Sequence, residues 1–281
     1  MKMYIISWFG EGEIREYRKE RHNKQVAWAI EKGLQPVVCA MEYEKEDYLD
    51  AVQYHIIERN PPAFARNILL QDFYQSDDDY CIIADNDAVF REISEFDFLS
   101  KFNERYVGLI EQKVGLFTPL NPIRLPFNKV YNERKTYYDS NLVFEKNTHT
   151  KGSLYFCLNF KKHTGKELYF DSKFEQFNGD QIIPYEDVEF GFACMAKGWN
   201  TCYSRNIVLV EYSPTKSTWA KDNGDRSDDI GLQHIAEKYS FQNTLNEGKF
   251  RIQPSKTAFV KNLPREHTIP LTKTQTIEEF F

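Results

Sequence analysis

No apolar run in the 281-residue chain approaches the roughly 20 residues of a membrane-spanning helix. The N-terminus lacks the layout of a secretory signal. Cysteine is sparse and unpatterned: Cys39, Cys81, Cys157, Cys194 and Cys202 contain no Cys-x-x-Cys, and their number is odd. That spacing argues against a disulfide frame or a zinc site and for buried thiols in a reducing compartment. The six histidines form no metal spacing with the cysteines. No internal repeat and no low-complexity linker divides the chain. The expectation from these absences is a soluble, cytoplasmic protein folded as one domain over residues 1–281.

What is present supports a large core. Hydrophobic residues make up 41% of the chain and aromatics 15%, well outside the range of disordered sequences. Charge is uneven: residues 1–100 carry 20 acidic against 11 basic side chains, so the remaining 181 are net basic although the whole is −6. The surface as a whole is therefore no polyanion magnet.

One stretch organises the rest. Tyr80-Cys81-Ile82-Ile83-Ala84 is a short continuous apolar run, the pattern of a strand buried on both faces, and it ends in Asp85-Asn86-Asp87. In an open α/β sheet ligands bind beyond the carboxyl ends of the strands, which places Asp85 and Asp87 at a crevice. Two hard oxygen ligands there suit Mg²⁺ or Mn²⁺, and through the metal a diphosphate. Taken alone, Asp-Asn-Asp is equally ordinary turn chemistry.

Around that stretch the chain opens strand–helix–strand, the start of a parallel nucleotide-binding sheet. Residues 3–7 form the first strand and 14–32 a helix whose buried side is Val26, Ala27, Trp28 and Ile30. Gly33 stops the helix, and residues 36–41 form the second strand. A charged helix is expected over 44–57. Pro61-Pro62 opens another through Gln75, with Ala65, Leu69 and Phe73 repeating every four residues toward the sheet. Arg66 and Asn67 fall off that stripe, which by itself puts them on solvated helix surface.

Further on, a helix is expected over 93–102 and strands over 106–110, 114–118 and 154–160. Residues 119–150 hold Pro119, Pro122 and Pro126 with little periodicity, the signature of a long functional loop. Residues 167–174 are expected to be extended, 199–204 and 207–212 to be strands, and 225–239 the last amphipathic helix. The tail from Lys249 has no periodicity and is expected to wrap the domain or drape over a binding groove.

A second acidic constellation lies some hundred residues after the first. Glu186-Asp187 leads into a helix expected from Val188 to Lys197, with Gly198 as its cap, and so stands just ahead of or at the helix N-terminus. At a helix N-terminus these acids are also good caps. A transfer enzyme, however, needs both a metal clamp for a leaving diphosphate and a base for an attacking hydroxyl.

Ala65-Arg66-Asn67, the strand ending Asp85-Asn86-Asp87, and Glu186-Asp187-Val188-Glu189-Phe190-Gly191-Phe192 followed by Lys197-Gly198-Trp199 together resemble the GT-A fold of nucleotide-sugar glycosyltransferases. The resemblance covers roughly residues 1–220, and only the two acidic motifs in it are specific. It implies an α/β fold with a mostly parallel, Rossmann-like central sheet, helices on both faces and an elaborated C-terminal half. Residues 1–112 would form the nucleotide-sugar half, 113–240 the acceptor half and 241–281 a tail.

It also implies an inverting transferase that uses Mn²⁺ or Mg²⁺ and a UDP-sugar donor. Asp85 becomes the nucleotide- and metal-side carboxylate, Asp87 the direct metal ligand and Asp187 the general base. Glu186 would hold acceptor or donor sugar, and Ser7, Arg66, Asn67 and Asn86 complete the donor side. Many family members add a metal-ligating His at the end of the strand matching 207–212. Here that strand reads Val210-Glu211-Tyr212-Ser213, so Glu211 is the candidate third ligand.

For the acceptor, Lys113, Arg124, Lys129, Arg134 and Lys135 stand against one acid, Glu133, in residues 113–136, with interleaved Phe and Tyr. Such a stretch receives a polyanion or is a solvated loop. The compact, anchorless format is similar to bacteriophage enzymes that glycosylate hydroxymethylated pyrimidines in DNA, which would place the protein in host cytoplasm. A saccharide acceptor is the alternative. From other classes, a nucleotidyltransferase or metal-dependent phosphoesterase would require more clustered acids and His. A non-catalytic nucleotide-sugar-binding module would have no use for the intact Glu186-Asp187 pair.

Overall fold

The computed structural model of the protein describes residues 1–86, 88–92, 109–111, 113–119, 123–126, 143–147, 154–204, 207–213, 226–239, 244–246, 249–251 and 275–276. The first part holds β1 (Lys2–Trp8), α1 (Glu13–Glu31), β2 (Gln35–Met41), β3 (Gln53–Ile57), α2 (Pro62–Phe73), β4 (Tyr80–Asp85) and β5 (Ala88–Glu92). Next come β6 (Val114–Pro119), β7 (Ile123–Pro126), β8 (Val143–Asn147), β9 (Leu154–Leu158) and the short helix α3 (Phe160–Thr164). A small hairpin, β10 (Phe177–Asn178) and β11 (Gln181–Ile182), precedes α4 (Glu186–Ala196), β12 (Asn200–Ser204), β13 (Ile207–Ser213) and α5 (Arg226–Lys238). The short strands β14 (Thr244–Asn246), β15 (Lys249–Arg251) and β16 (Gln275–Thr276) end the described chain.

Nine strands form one sheet in the order β16-β8-β12-β6-β9-β4-β1-β2-β3. Seven run in one direction; β9, antiparallel to β4 and β6, and β8, antiparallel to β12 and β16, oppose them. The architecture is thus α/β with a mostly parallel central sheet. The crossover β1–α1–β2 moves one way along the sheet and β3–α2–β4 the other. Right-handed crossovers then put α1 and α2 on opposite faces. Side-chain alternation agrees. Tyr4 meets Phe73 of α2 with ring centroids 5.9 Å apart, while Ser7, on the other face, reaches Tyr43 and through it His22 of α1.

The core follows the sheet. Tyr4, Ile5, Val37, Val38, Ile82 and Ile83 are fully buried, as continuous apolar strands covered on both faces must be. Ala65, Leu69 and Phe73 of α2 are fully buried too, as their four-residue repeat predicts. Phe117 of β6 and Phe156 of the neighbouring β9 stack at 4.2 Å in the middle of the sheet. Among the described residues no helix is long and apolar enough to cross a membrane. Cys39, Cys81, Cys157 and Cys194 are buried free thiols.

Several expected elements are different. Residues 44–57 do not form a helix. Glu44 and Asp47 close a capping box on a single 3-10 turn (Lys45–Asp47), and the β-favouring Tyr54, Ile56 and Ile57 then pair with β2 as β3. The buried stripe of α1 is His22, Gln25, Val26 and Ala29, while Ile30 is 47% exposed and Ala27 is exposed. Two polar residues occupy the i, i+3 places of that stripe, so a purely apolar periodicity points to the wrong side.

The stretch 119–150 is not one loop. It contains β7 and β8, whose partners β13 and β12 lie far along the chain. Residues 109–111 are helical, against the strand expected over 106–110. Strand β9 stops at Leu158 because Asn159 caps α3, accepting from the Lys162 amide at 3.1 Å. Residues 172–175, expected to be extended, form a 3-10 turn. The tail brings β16 to the edge of the main sheet beside β8. The helix expected over 93–102 lies outside the described residues.

Candidate active site

Strand order reverses between β1 and β4, so the crevice beyond their carboxyl ends is the topological switch point. The register sets Ile6 opposite Asp85, which carries Ser7 and Trp8 alongside Asn86. The Asn86 amide donates to Ser7 Oγ and to the Trp8 carbonyl, each at 3.2 Å. Ser7 Oγ also accepts from the Tyr43 hydroxyl, which contacts His22 Nε2 at 3.4 Å. Gln25 Nε2 donates to the Asp85 carbonyl at 3.0 Å. Burial pushes the His22 imidazole down to about 4 against the pull of Asp47, so it is neutral at neutral pH. Ser7 and Asn86, expected to touch a donor, are buried here and hold the turn itself.

The second acidic motif meets the first through one side chain. Arg66 of α2 is 3% exposed, not on solvated surface. One guanidinium nitrogen bonds Asp85 Oδ1 at 2.8 Å and the other bonds Glu186 Oε1 at 2.6 Å. Burial works against its charge, but Asp85, Tyr155 and Glu186 outweigh that and hold the guanidinium above its ordinary value. Its flat face lies over the Phe170 ring at 5.5 Å, and Phe170 stacks on Phe190 of α4 at 4.1 Å. Two carboxylates thus face one guanidinium.

Asn67 is also buried, but its amide is spent on the chain. Oδ1 accepts from the Phe170 amide, and Nδ2 donates to the Phe170 carbonyl at 2.9 Å and to Glu175 at 2.7 Å. These bonds fix the segment that carries Phe170 under Arg66. Asp187 is half-buried at the second position of α4, with Oδ1 accepting from the Val188 amide at 2.8 Å. Tyr185, immediately before the acids, has φ 77°, a left-handed backbone at a non-glycine residue.

For a metal, the donor chemistry fits. Asp85, Asp87 and Glu211 are hard oxygen ligands of the kind Mn²⁺ and Mg²⁺ take. Asp87 lies outside the described residues. β13 pairs with β5 so that the backbone of Glu211 stands opposite Ala88, the residue after Asp87. Among the described residues no three His, Cys, Asp or Glu side chains converge as a metal cluster. Of the basic stretch, Lys113 has φ 51° beside β6, and Arg124 lies in β7. Lys129, Arg134 and Lys135 lie outside the described residues.

Sequence reasoning missed Tyr155, His22, Gln25 and Tyr43. The Tyr155 hydroxyl is buried with no hydrogen-bond partner among the described residues, its ring 6.2 Å from Phe190. The available signal was two polar residues at i, i+3 within one stripe of α1. Tyr155 gave none, being an ordinary strand residue until its partners are in place.

No family model and no curated protein matches the chain. Solved structures do. The fold is the GT-A fold, which this chain shares with solved glycosyltransferase structures. One neighbour is GalNAc-T7 with UDP, GalNAc and Mn²⁺, at TM-score 0.55 and 10% identity over 85% of this chain and 49% of that one. Another is the mannosyltransferase PcManGT from Pyrobaculum calidifontis with GDP-mannose and Mn²⁺, at TM-score 0.51 and 12% identity over 86% of this chain and 65% of that one. The chain therefore spans about half the length of the first and two thirds or less of the second. At such identities the likeness establishes the fold.

Proposed function

We propose that the protein is a metal-dependent glycosyltransferase that moves a sugar from a nucleotide-sugar to an acceptor hydroxyl with inversion. The observation that carries this reading is Arg66, which joins Asp85 and Glu186 across 120 residues at the switch-point crevice. Asp87, with Asp85 and Glu211, would hold Mn²⁺ or Mg²⁺. When bound, the metal neutralises charge developing on the leaving diphosphate. Residues 1–112 serve the donor, taken as a UDP-sugar, and 113–240 the acceptor.

Asp187 takes the proton of the acceptor hydroxyl as its oxygen bonds to the anomeric carbon and the bond to the diphosphate breaks. A helix N-terminus favours a carboxylate in the charged form that this task needs. Glu186, fixed by Arg66, holds the sugar side of the crevice. The basic stretch makes hydroxymethylated pyrimidine DNA the first acceptor to test and a saccharide the second.

Incubation with Mn²⁺ and a panel of nucleotide-sugars, followed by mass spectrometry of DNA nucleosides and of saccharides, tests the reading. Transfer releasing nucleoside diphosphate supports it; pyrophosphate release assigns a nucleotidyltransferase instead, and binding with neither product leaves a binding module. Asp87→Asn is expected to lose UDP–Mn²⁺ binding in calorimetry as well as turnover. Unchanged binding rejects Asp87 as a ligand.

A further inference from the structure

Gly231 of α5 sits where no other residue fits without movement. A Cβ there would come 2.3 Å from the Pro184 carbonyl oxygen, with Phe174 and Ile183 carbons at 3.3 and 3.4 Å. A backbone carbonyl cannot swing aside as a flexible side chain does. Glycine inside a helix costs up to about 1 kcal/mol relative to alanine, so close approach is what this one provides. Pro184 leads directly into Tyr185, whose left-handed φ of 77° is strained for a residue with a Cβ. The next two residues are Glu186 and Asp187.

The same helix is tied down C-terminal to that contact. Lys238 Nζ bonds Asp171 Oδ2 and Glu189 Oε1, each at 2.6 Å. His234 Nε2 lies 3.0 Å from Asp171 Oδ2, and the Tyr239 hydroxyl donates to Glu189 Oε1 at 2.6 Å. Glu189 is fully buried, one turn along α4 from Tyr185, and its amide donates to the Tyr185 carbonyl at 3.0 Å. Asp171 follows Phe170, the ring beneath Arg66.

We propose that Gly231 is a positioning residue and α5 a brace that holds the Pro184–Tyr185 turn in its strained conformation, fixing the direction in which Asp187 faces the acceptor. The proposal rests on the glycosyltransferase reading of the site. Strained residues persist only where their surroundings over-determine them, and here the close helix contact and the Glu189 ties supply the confinement. Because Gly231 faces the turn before α4, its effect should fall on the acceptor step and not on donor binding.

Gly231→Ala tests this. Hydrogen exchange of the amides of residues 185–190 is expected to accelerate while the amides of β1 and β4 keep their protection. kcat is expected to fall about a hundredfold, as an ångström-scale misplacement does, with UDP–Mn²⁺ affinity kept within about twofold. If the alanine variant does not fold, Lys238→Met loosens the same brace from its exposed end and should give the same pattern in smaller degree. Unchanged exchange at 185–190, or equal losses in donor binding and kcat, overturns the proposal. Wild-type protein that transfers no sugar rejects the functional reading instead, and the exchange comparison still decides whether α5 braces the turn.

Discussion

Asp85 at the end of β4 and Glu186 at the start of α4 meet on one guanidinium, yet the turns beside them are built differently. The first is held by hydrogen bonds: Gln25 on the Asp85 carbonyl, and Asn86 on Ser7 and Trp8, backed by Tyr43 and His22. The second adds close packing to its bonds: a left-handed Tyr185 is pressed by a glycine helix, while Arg66 holds Glu186 and the Glu189 amide donates to the Tyr185 carbonyl. Backbone strain at Tyr185 marks the second turn, and under the proposed function it would hold Asp187 in one orientation. Arg66 bonds Asp85 and Glu186 together.

Removing Arg66 attacks both turns at once and should have the largest effect. Arg66→Met leaves Asp85 and Glu186 as neighbouring carboxylates without their cation, and breaking a buried ion pair costs about 3–5 kcal/mol. Chemical denaturation should show that loss, together with loss of donor binding. A fully stable variant would mean the two turns are held independently.

Asp187→Asn reaches only the second turn. Loss of a general base should lower kcat about 10²–10⁴-fold while UDP–Mn²⁺ binding and the melting curve stay in place. Near-normal transfer would reduce Asp187 to a helix cap.

The smallest effect concerns the hydrogen-bonded turn alone. His22 holds its proton only below about 4 in the fold, against an ordinary value near 6.5 in the unfolded chain. Between those values the unfolded state binds the extra proton, so stability falls as pH falls from about 6.5 to 4. His22→Gln should flatten that slope by about one proton per molecule in urea titrations at several pH values. An unchanged slope would show that the imidazole does not titrate with unfolding.

The strand ending at Asp85 and the Glu186-Asp187 helix start were legible in the sequence because their signals are local: an unbroken apolar run, then acids. The helix Pro62–Phe73 was legible for the same reason, through Ala65, Leu69 and Phe73. What was not legible depends on distant partners. Arg66 looks solvated until Asp85 and Glu186 arrive from residues 19 and 120 positions away. Asn67 looks solvated too until Phe170 and Glu175 reach its amide. Residues 44–57 are rich in charge like a surface helix, and only pairing with β2 makes part of them a strand.

The antiparallel strand β9 lies between β4 and β6, although 68 residues of chain separate Asp85 from Leu154. During synthesis β1 to β4 are therefore complete as a parallel unit long before the neighbour that covers the outer edge of β4. At about 5–20 residues per second the ribosome leaves that edge unpaired for roughly 3–14 s. The exposed strand, Tyr-Cys-Ile-Ile-Ala, is apolar and uncharged, the type most prone to pair with another chain. Translation speed between residues 86 and 158, not the stability of the finished sheet, should therefore govern how much of this protein emerges soluble.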